Sequence, residues 1–119
     1  NEVLIADNAQ KLAKLDVCGL FVAEADGLAV GVATVSLDFG IEYGWSAEMG
    51  DLYVLPDWRG RGVAKALTEI LEAFLRSRDV AGYEVTLTPY ASSEHQLEKY
   101  YTRFGFEDEG RIILWKPLR

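Results

Sequence analysis

Two apolar stretches rich in valine, leucine and phenylalanine, residues 20–25 and 28–36, are separated by Asp26-Gly27. Asp-Gly accepts the positive φ angles of a two-residue primed turn, so the pair predicts a β-hairpin. Residues 48–54 predict a third strand, which Pro56 and Asp57 end before a region of small residues and helix formers. From Ala64 the period changes: Leu67, Leu71, Phe74 and Leu75 recur at spacings of three and four, with Glu69, Glu72, Arg76 and Arg78 set away from them. That pattern predicts an amphipathic helix with one face on a sheet. A period of two returns where Tyr83, Val85 and Leu87 alternate with Glu84, Thr86 and Thr88, predicting a strand that Pro89 closes.

Ser93 with Gln96 gives a capping-box start for a second helix, carried by Leu97, Tyr100, Tyr101 and Phe104 as far as Gly105. Residues 106–109, Gly110 and residues 111–116 predict a closing antiparallel hairpin. Residues 38–46 are polar and glycine-bearing, with Tyr43 and Trp45, and predict a loop that either covers a site or serves as a plain connection. Residues 2–15 favour a short helix through Val3, Leu4, Ile5, Leu12 and Leu15, with a strand over residues 3–6 as the alternative. The order after that segment, strand-strand-strand-helix-strand-helix-strand-strand, makes the fold class α/β in the mixed, α+β sense. No repeat, low-complexity tract or linker interrupts it, and residues 1–119 are expected to form a single domain.

Nineteen acidic residues against twelve basic ones leave a formal charge of −7. Such a field opposes attraction to phosphate backbones and anionic membranes, which argues against nucleic acid as a partner, and it favours cationic small molecules. No run approaches the ~20 apolar residues of a membrane helix, and no basic segment leads into an apolar signal core. A cytoplasmic protein with no membrane partner is therefore expected. Cys18, the lone cysteine, cannot form an intrachain disulfide, and between Val17, Gly19 and Leu20 it reads as a small buried hydrophobe.

Chemistry concentrates in the run Asp51-Leu52-Tyr53-Val54-Leu55-Pro56-Asp57-Trp58-Arg59-Gly60-Arg61-Gly62-Val63-Ala64-Lys65, which joins a strand, a glycine-bearing turn and a helix N-terminus. Gly60 and Gly62 let the backbone approach a ligand closely, while first-turn N–H groups and a macrodipole of about half a positive charge face an anion. Arg59, Arg61 and Lys65 add positive charge in an otherwise acidic chain, a combination that suits a pyrophosphate. No Gly-Lys-Ser/Thr follows, so the Walker pattern is absent. The Rossmann spacing fails because Lys65 stands where its third glycine or alanine would be.

Arg59-Gly60-Arg61-Gly62-Val63-Ala64 matches the pattern Arg/Gln-x-x-Gly-x-Gly/Ala, set after a strand and opening a helix. Tyr101-Thr102-Arg103-Phe104-Gly105-Phe106 matches Tyr-x-x-x-Gly-Phe at the appropriate distance past the intervening strand. In these two motifs the chain resembles the GNAT family of N-acetyltransferases, over nearly its whole length from about Gly19 to Leu118. The resemblance implies a mixed, mostly antiparallel sheet with flanking helices. Two central strands, here residues 48–54 and 83–88, would splay so that the pantetheine arm of acetyl-CoA inserts between them. It places Leu52, Tyr53 and Val54 along the pantetheine and thioester. The backbone N–H groups of Arg59, Gly60, Arg61, Gly62, Val63, Ala64 and Lys65 would receive the pyrophosphate. Acetyl-CoA is the implied co-substrate, and no metal is implied.

An acceptor amine must attack in its neutral form. With a pKa near 10.4, only about one alkylammonium in 2,500 is deprotonated at pH 7, a deficit of about 4.6 kcal/mol. A base or water-linked carboxylate is therefore required. The resemblance offers Glu48, where some family members carry a glutamate base, and Asp51, where several small-amine acetyltransferases carry an acid. Either can serve, and either can equally be a solvated strand-end carboxylate. An N–H near Val54 would stabilise the oxyanion, and Tyr101, protonated at pH 7, would give a proton to the leaving thiolate. The implied activity is acetyl transfer from acetyl-CoA to a primary amine of a small molecule or peptide by direct attack. An acyl-CoA-binding or regulatory module without transfer is the alternative. The resemblance also allows a homodimer, whose interface nothing in the sequence fixes.

Two departures from the family pattern bear on these expectations. Glu94 stands where many members carry an asparagine that contacts the cofactor. The family pattern also begins with a strand and one or two helices ahead of the hairpin, where this chain has about eighteen residues, so that first strand and helix are expected to be missing.

Overall fold

The computed structural model describes residues 2–87 and 97–119, in two units, Asn1–Val85 and Thr86–Arg119. In the first unit the opening segment is helical, α1 (Glu2–Ala13). It is followed by strands β1 (Cys18–Ala25), β2 (Leu28–Gly40) and β3 (Gly44–Val54), helix α2 (Val63–Ser77) and a short strand β4 (Tyr83–Glu84). The sheet order is β1-β2-β3-β4, antiparallel except that β4 runs parallel to β3. Parallel pairing follows from the connection, because a helical crossover returns the chain to the end from which β3 started. At the first turn Ala25 sits opposite Leu28, with φ of 53° at Asp26 and 78° at Gly27, as a primed turn requires.

The second hairpin is longer than the hydrophobic pattern implied. Residues 38–46, expected to be a loop, are strand on both arms and turn only between Gly40 and Gly44. Cross-strand pairing supplies the reason. Phe39 lies opposite Trp45, with ring centroids 5.1 Å apart in an edge contact, and such an aromatic pair holds a two-stranded ribbon together despite polar neighbours.

Helix α2 packs on β1, β2 and β3. Its Leu67, Leu71 and Leu75 are buried together with Ala33, Val35, Ala47, Met49 and Val54 of the sheet. Phe21 of β1 meets Phe74 edge-on at 5.6 Å. The approach of helix to sheet is set at Gly31, where a Cβ would lie 2.9 Å from Val63 Cγ1 and 3.1 Å from Leu67 Cδ1. Tyr83 ties β4 to the same helix, its hydroxyl donating to Glu72 Oε2 at 2.7 Å.

In the second unit, helix α3 (Leu97–Arg103) matches the expected spacing of Leu97, Tyr100 and Tyr101. Its expected cap at Ser93 and Gln96 lies outside the described residues, as do Thr88, Pro89 and Glu94. The helix ends with Gly105 at φ 94°, Gly105 N–H donating to Thr102 O and Phe106 N–H to Tyr101 O. This is a Schellman cap, which requires a left-handed residue where glycine stands. The closing hairpin did not form: residues 106–119 contain no strand. Gly110 does turn, its amide donating to Asp108 Oδ1 at 2.8 Å, but Ile112, Ile113, Leu114 and Trp115 are exposed. Two strands alone bury too little apolar surface to hold together in water.

The seal between α2 and the sheet rests on Leu71, which is wholly buried. Leu71→Ala is expected to cost about 2–5 kcal/mol in urea denaturation. A loss below about 1 kcal/mol would mean that the helix does not close this core.

Candidate active site

One residue of β3 has no partner in β2. Thr34 pairs with Asp51 and Val35 with Met49, so Gly50 is an extra residue and β3 carries a bulge there. The bulge reverses the strand's facing. Before it, Ala47 and Met49 are buried; after it, Leu52 and Val54 turn inward. Strict alternation would send Glu48 and Asp51 to opposite faces, since they are three residues apart. The bulge brings both to the face away from α2, opposite Ser36 and Thr34 respectively. Glu84 of β4, paired with Glu48, joins them. Tyr53 shares that face and borders an apolar cavity of about 310 Å³ with Ala9, Leu20, Val22 and Val32.

The strand expected over residues 83–88 is shorter than the alternation implied, Tyr83–Glu84 alone among the described residues. β3 and β4 pair only at Ala47 with Tyr83 and Glu48 with Glu84, and residues 85–87 are not strand. Among the described residues, no strand pairs with the far edge of β3 beyond Glu48. Leu55 N–H donates to Val30 O on the β2 side at 2.9 Å. Main-chain groups of successive residues point to alternate edges, so Val54 and Leu52 aim theirs at the open edge. Of the three residues expected along a pantetheine arm, Leu52 and Val54 face that edge, the Val54 carbonyl accepting from Arg59 Nε, whereas Tyr53 turns its main chain toward Val32 of β2.

Past β3, a single 3₁₀ turn (Pro56–Trp58) leads into residues 59–62 and then α2. Gly60 has φ 75° and Gly62 has φ 84°, on either side of Arg61, which keeps a negative φ. Alternating hand along consecutive residues gathers N–H groups into a concavity suited to an anion. Gly62 is the N-cap of α2 and supplies no side-chain cap, so the first-turn amides of the helix have no acceptor within it. A Cβ at either glycine would meet nothing within 4 Å, so the demand there is conformational and the approach is open. These residues fit the pyrophosphate of a coenzyme. Arg59 acts differently from its neighbours. Its amide donates to Pro56 O at 3.3 Å, its Nε donates to Val54 O at 2.9 Å, and its guanidinium lies 5.4 Å from the Tyr53 ring centroid. It therefore pins the turn to the end of β3. Arg61 rests over Trp58 at 4.8 Å, and Lys65 is exposed on the first turn of α2.

Tyr101 belongs to the second unit, where its ring meets Phe106 at 5.3 Å and Tyr100 at 5.2 Å. Burial, and then the neighbouring Tyr100, push its hydroxyl above the usual tyrosine pKa. It is therefore protonated throughout the neutral range and is available as a proton donor. The Tyr-x-x-x-Gly-Phe motif has a structural explanation in the same place, because Gly105 turns the chain and Phe106 then packs on Tyr101. Sequence reasoning did not single out Thr34 or bring Glu84 beside Glu48. The only available signal was Gly50 within a strand pattern, which marks a bulge.

A family model described as an acetyltransferase (GNAT) domain matches residues 16–108. The chain is 29% identical over 106 residues to an uncharacterised N-acetyltransferase of Methanocaldococcus jannaschii, covering 87% of this chain and 46% of that protein. It thus spans less than half the length of that relative. It is 31% identical over 114 residues to an aminoglycoside N(6')-acetyltransferase type 1 of Stenotrophomonas maltophilia, covering 92% of this chain and 72% of that one. Among solved structures it resembles the aminoglycoside N-acetyltransferase AAC(6')-Iy in complex with CoA, with a TM-score of 0.84 and 22% identity, over 100% of this chain and 79% of that chain.

The left-handed backbone at Gly62 separates substitutions by conformation more than by size. Gly62→Val, which forces a β-branched residue to positive φ, is expected to weaken CoA binding by about tenfold or more in calorimetric titration. Gly62→Asn, which tolerates that region, should stay within about threefold of the parent. Equal losses in both variants would show that the space, not the φ angle, is what the ligand needs.

Proposed function

The chain belongs to the GNAT family of acetyl-CoA-dependent N-acetyltransferases, and from that premise we propose that it acetylates a primary amine of a cationic amino sugar of the aminoglycoside kind. The observation that carries the transfer reading is the paired-glycine turn opening α2 beside the edge of β3 that, among the described residues, has no strand partner beyond Glu48. Support for the acceptor class comes from two directions. Relatives are named for aminoglycoside acetylation, and Glu48, Asp51 and Glu84 share one face of a chain that carries −7 overall. A polyammonium sugar approaching that face meets carboxylates of opposite charge.

Acetyl-CoA supplies an acetyl group already activated as a thioester. In this reading the amides of residues 60–65 hold its pyrophosphate, while Leu52 offers its main-chain groups to the pantetheine arm and Val54, whose carbonyl accepts from Arg59, keeps its N–H for the thioester. Arg59 fixes the turn relative to those groups, which keeps the reacting carbonyl at a set distance along β3. Asp51 or Glu48 accepts the ammonium proton, directly or through water, and relays it to solvent, so that the neutral amine, which costs about 4.6 kcal/mol at pH 7, forms in place. As nitrogen bonds to the carbonyl carbon, the Val54 N–H faces the oxygen on which charge develops. The carbon–sulfur bond then breaks as Tyr101 gives its proton to the departing thiolate, the acetylated nitrogen loses its second proton to solvent, and solvent reprotonates the tyrosinate.

Incubating the protein with acetyl-CoA and neamine, spermidine or a lysine peptide, while following free thiol, tests this reading. Neamine should be acetylated fastest. Tyr101→Phe should lower kcat by about 100-fold, with acetyl-CoA affinity within about threefold of the parent. Tight CoA binding with no thiol release from any amine would instead make the chain a coenzyme-binding module. Unchanged kcat in Tyr101→Phe would remove that tyrosine from the proton path.

A further inference from the structure

Thr34 is buried on β2, at 6% exposure, and its hydroxyl donates to Asp51 Oδ2 at 2.6 Å. A hydroxyl taken out of water must find a partner, and the partner here is one of the two carboxylates considered for the chemistry. The contact exists because of the bulge. Thr34 and Asp51 pair only because the register skips Gly50. A Cβ at Gly50 would stand 3.1 Å from Thr34 Oγ1, so glycine also leaves the hydroxyl its room.

We propose that Thr34 is a positioning residue, whose hydroxyl holds one oxygen of the Asp51 carboxylate so that the other is presented to the acceptor amine. This rests on the reading of Asp51 as the amine-facing carboxylate. An aspartate on an exposed strand position otherwise turns about two side-chain bonds. A donor on a β-branched side chain is stiff, and burial makes it stiffer, so a single hydrogen bond from Thr34 removes much of that freedom. Because reactivity falls steeply when a base sits even an ångström from its best position, orientation is worth conserving energy for. Bonding through Oδ2 leaves Oδ1 with its lone pairs available.

Two measurements test the inference. The side-chain carboxyl carbon resonance of Asp51 should move in Thr34→Val and return toward the parent position in Thr34→Ser, which restores the donor. No movement in Thr34→Val would overturn the proposal whether or not neamine is turned over. In steady-state acetylation of neamine, Thr34→Val should lower kcat/KM for the amine by about tenfold, with CoA affinity and Tm unchanged, and Thr34→Ser should recover it. Added to Asp51→Asn, the same Thr34→Val change should have no further effect. A penalty that persists in the Asp51→Asn background would make Thr34 merely structural and overturn the proposal. Full activity in Asp51→Asn, with the carboxyl signal still responding to Thr34→Val, would instead sink the reading of Asp51 and leave the contact standing.

Discussion

A single unpaired residue in β3 sets the geometry on which the site depends. Gly50 gives the strand one position more than its partner, and every side chain after it exchanges faces. Leu52, half-buried, and Val54, buried in the core, consequently turn inward, while Asp51 and Tyr53 turn away. Without that exchange, Glu48 and Asp51 would lie on opposite sides of the sheet. A bulge also bends a strand and raises its twist. That fits the brevity of the β3–β4 pairing, which covers two residue pairs ending at Glu48, just before the bulge. The facing of the carboxylates and the end of the described β3–β4 pairing thus coincide at one place in one strand.

Much of the architecture was legible because the signals were local. The Asp26-Gly27 turn, the Leu67, Leu71 and Leu75 stripe and the Gly60 and Gly62 turn each arise from residues whose conformational demands are satisfied within a few positions. Less of the site could be read. The facing of Asp51 depends on a register with β2 that no single strand encodes, and Thr34 acquires meaning only from the residue it pairs with. The extended second hairpin escaped for a similar reason, since Phe39 and Trp45 are unremarkable until placed opposite one another. Arg59 was legible as a cation but not as a strap, because its partner is a backbone carbonyl at Val54.

Tyr101, Gly105 and Phe106 show how a motif can carry two kinds of information. The glycine's positive φ and the ring contact between Tyr101 and Phe106 are what a stable helix ending needs, apart from any chemistry. The same packing withdraws the tyrosine hydroxyl from water and raises its pKa. A proton donor that must stay protonated at neutral pH gains from that burial. Structural cap and chemical role are therefore compatible readings of one set of residues, and the motif by itself cannot separate them.

The charge distribution resolves an apparent conflict in an acidic chain expected to hold an anion. The turn at residues 60–65 carries Arg61 and Lys65 and the positive end of α2, with no acidic residue in the helix's first turn. The carboxylates of Glu48, Asp51 and Glu84 lie lower on the sheet, on the face away from that helix. Opposite potentials can persist side by side because exposed charges are screened over about 8 Å at physiological ionic strength. An anionic coenzyme and a cationic amine would each meet a favourable local field, whatever the net charge. β3 joins the two regions, leading from the carboxylates to the turn, so one strand fixes where each lies relative to the other.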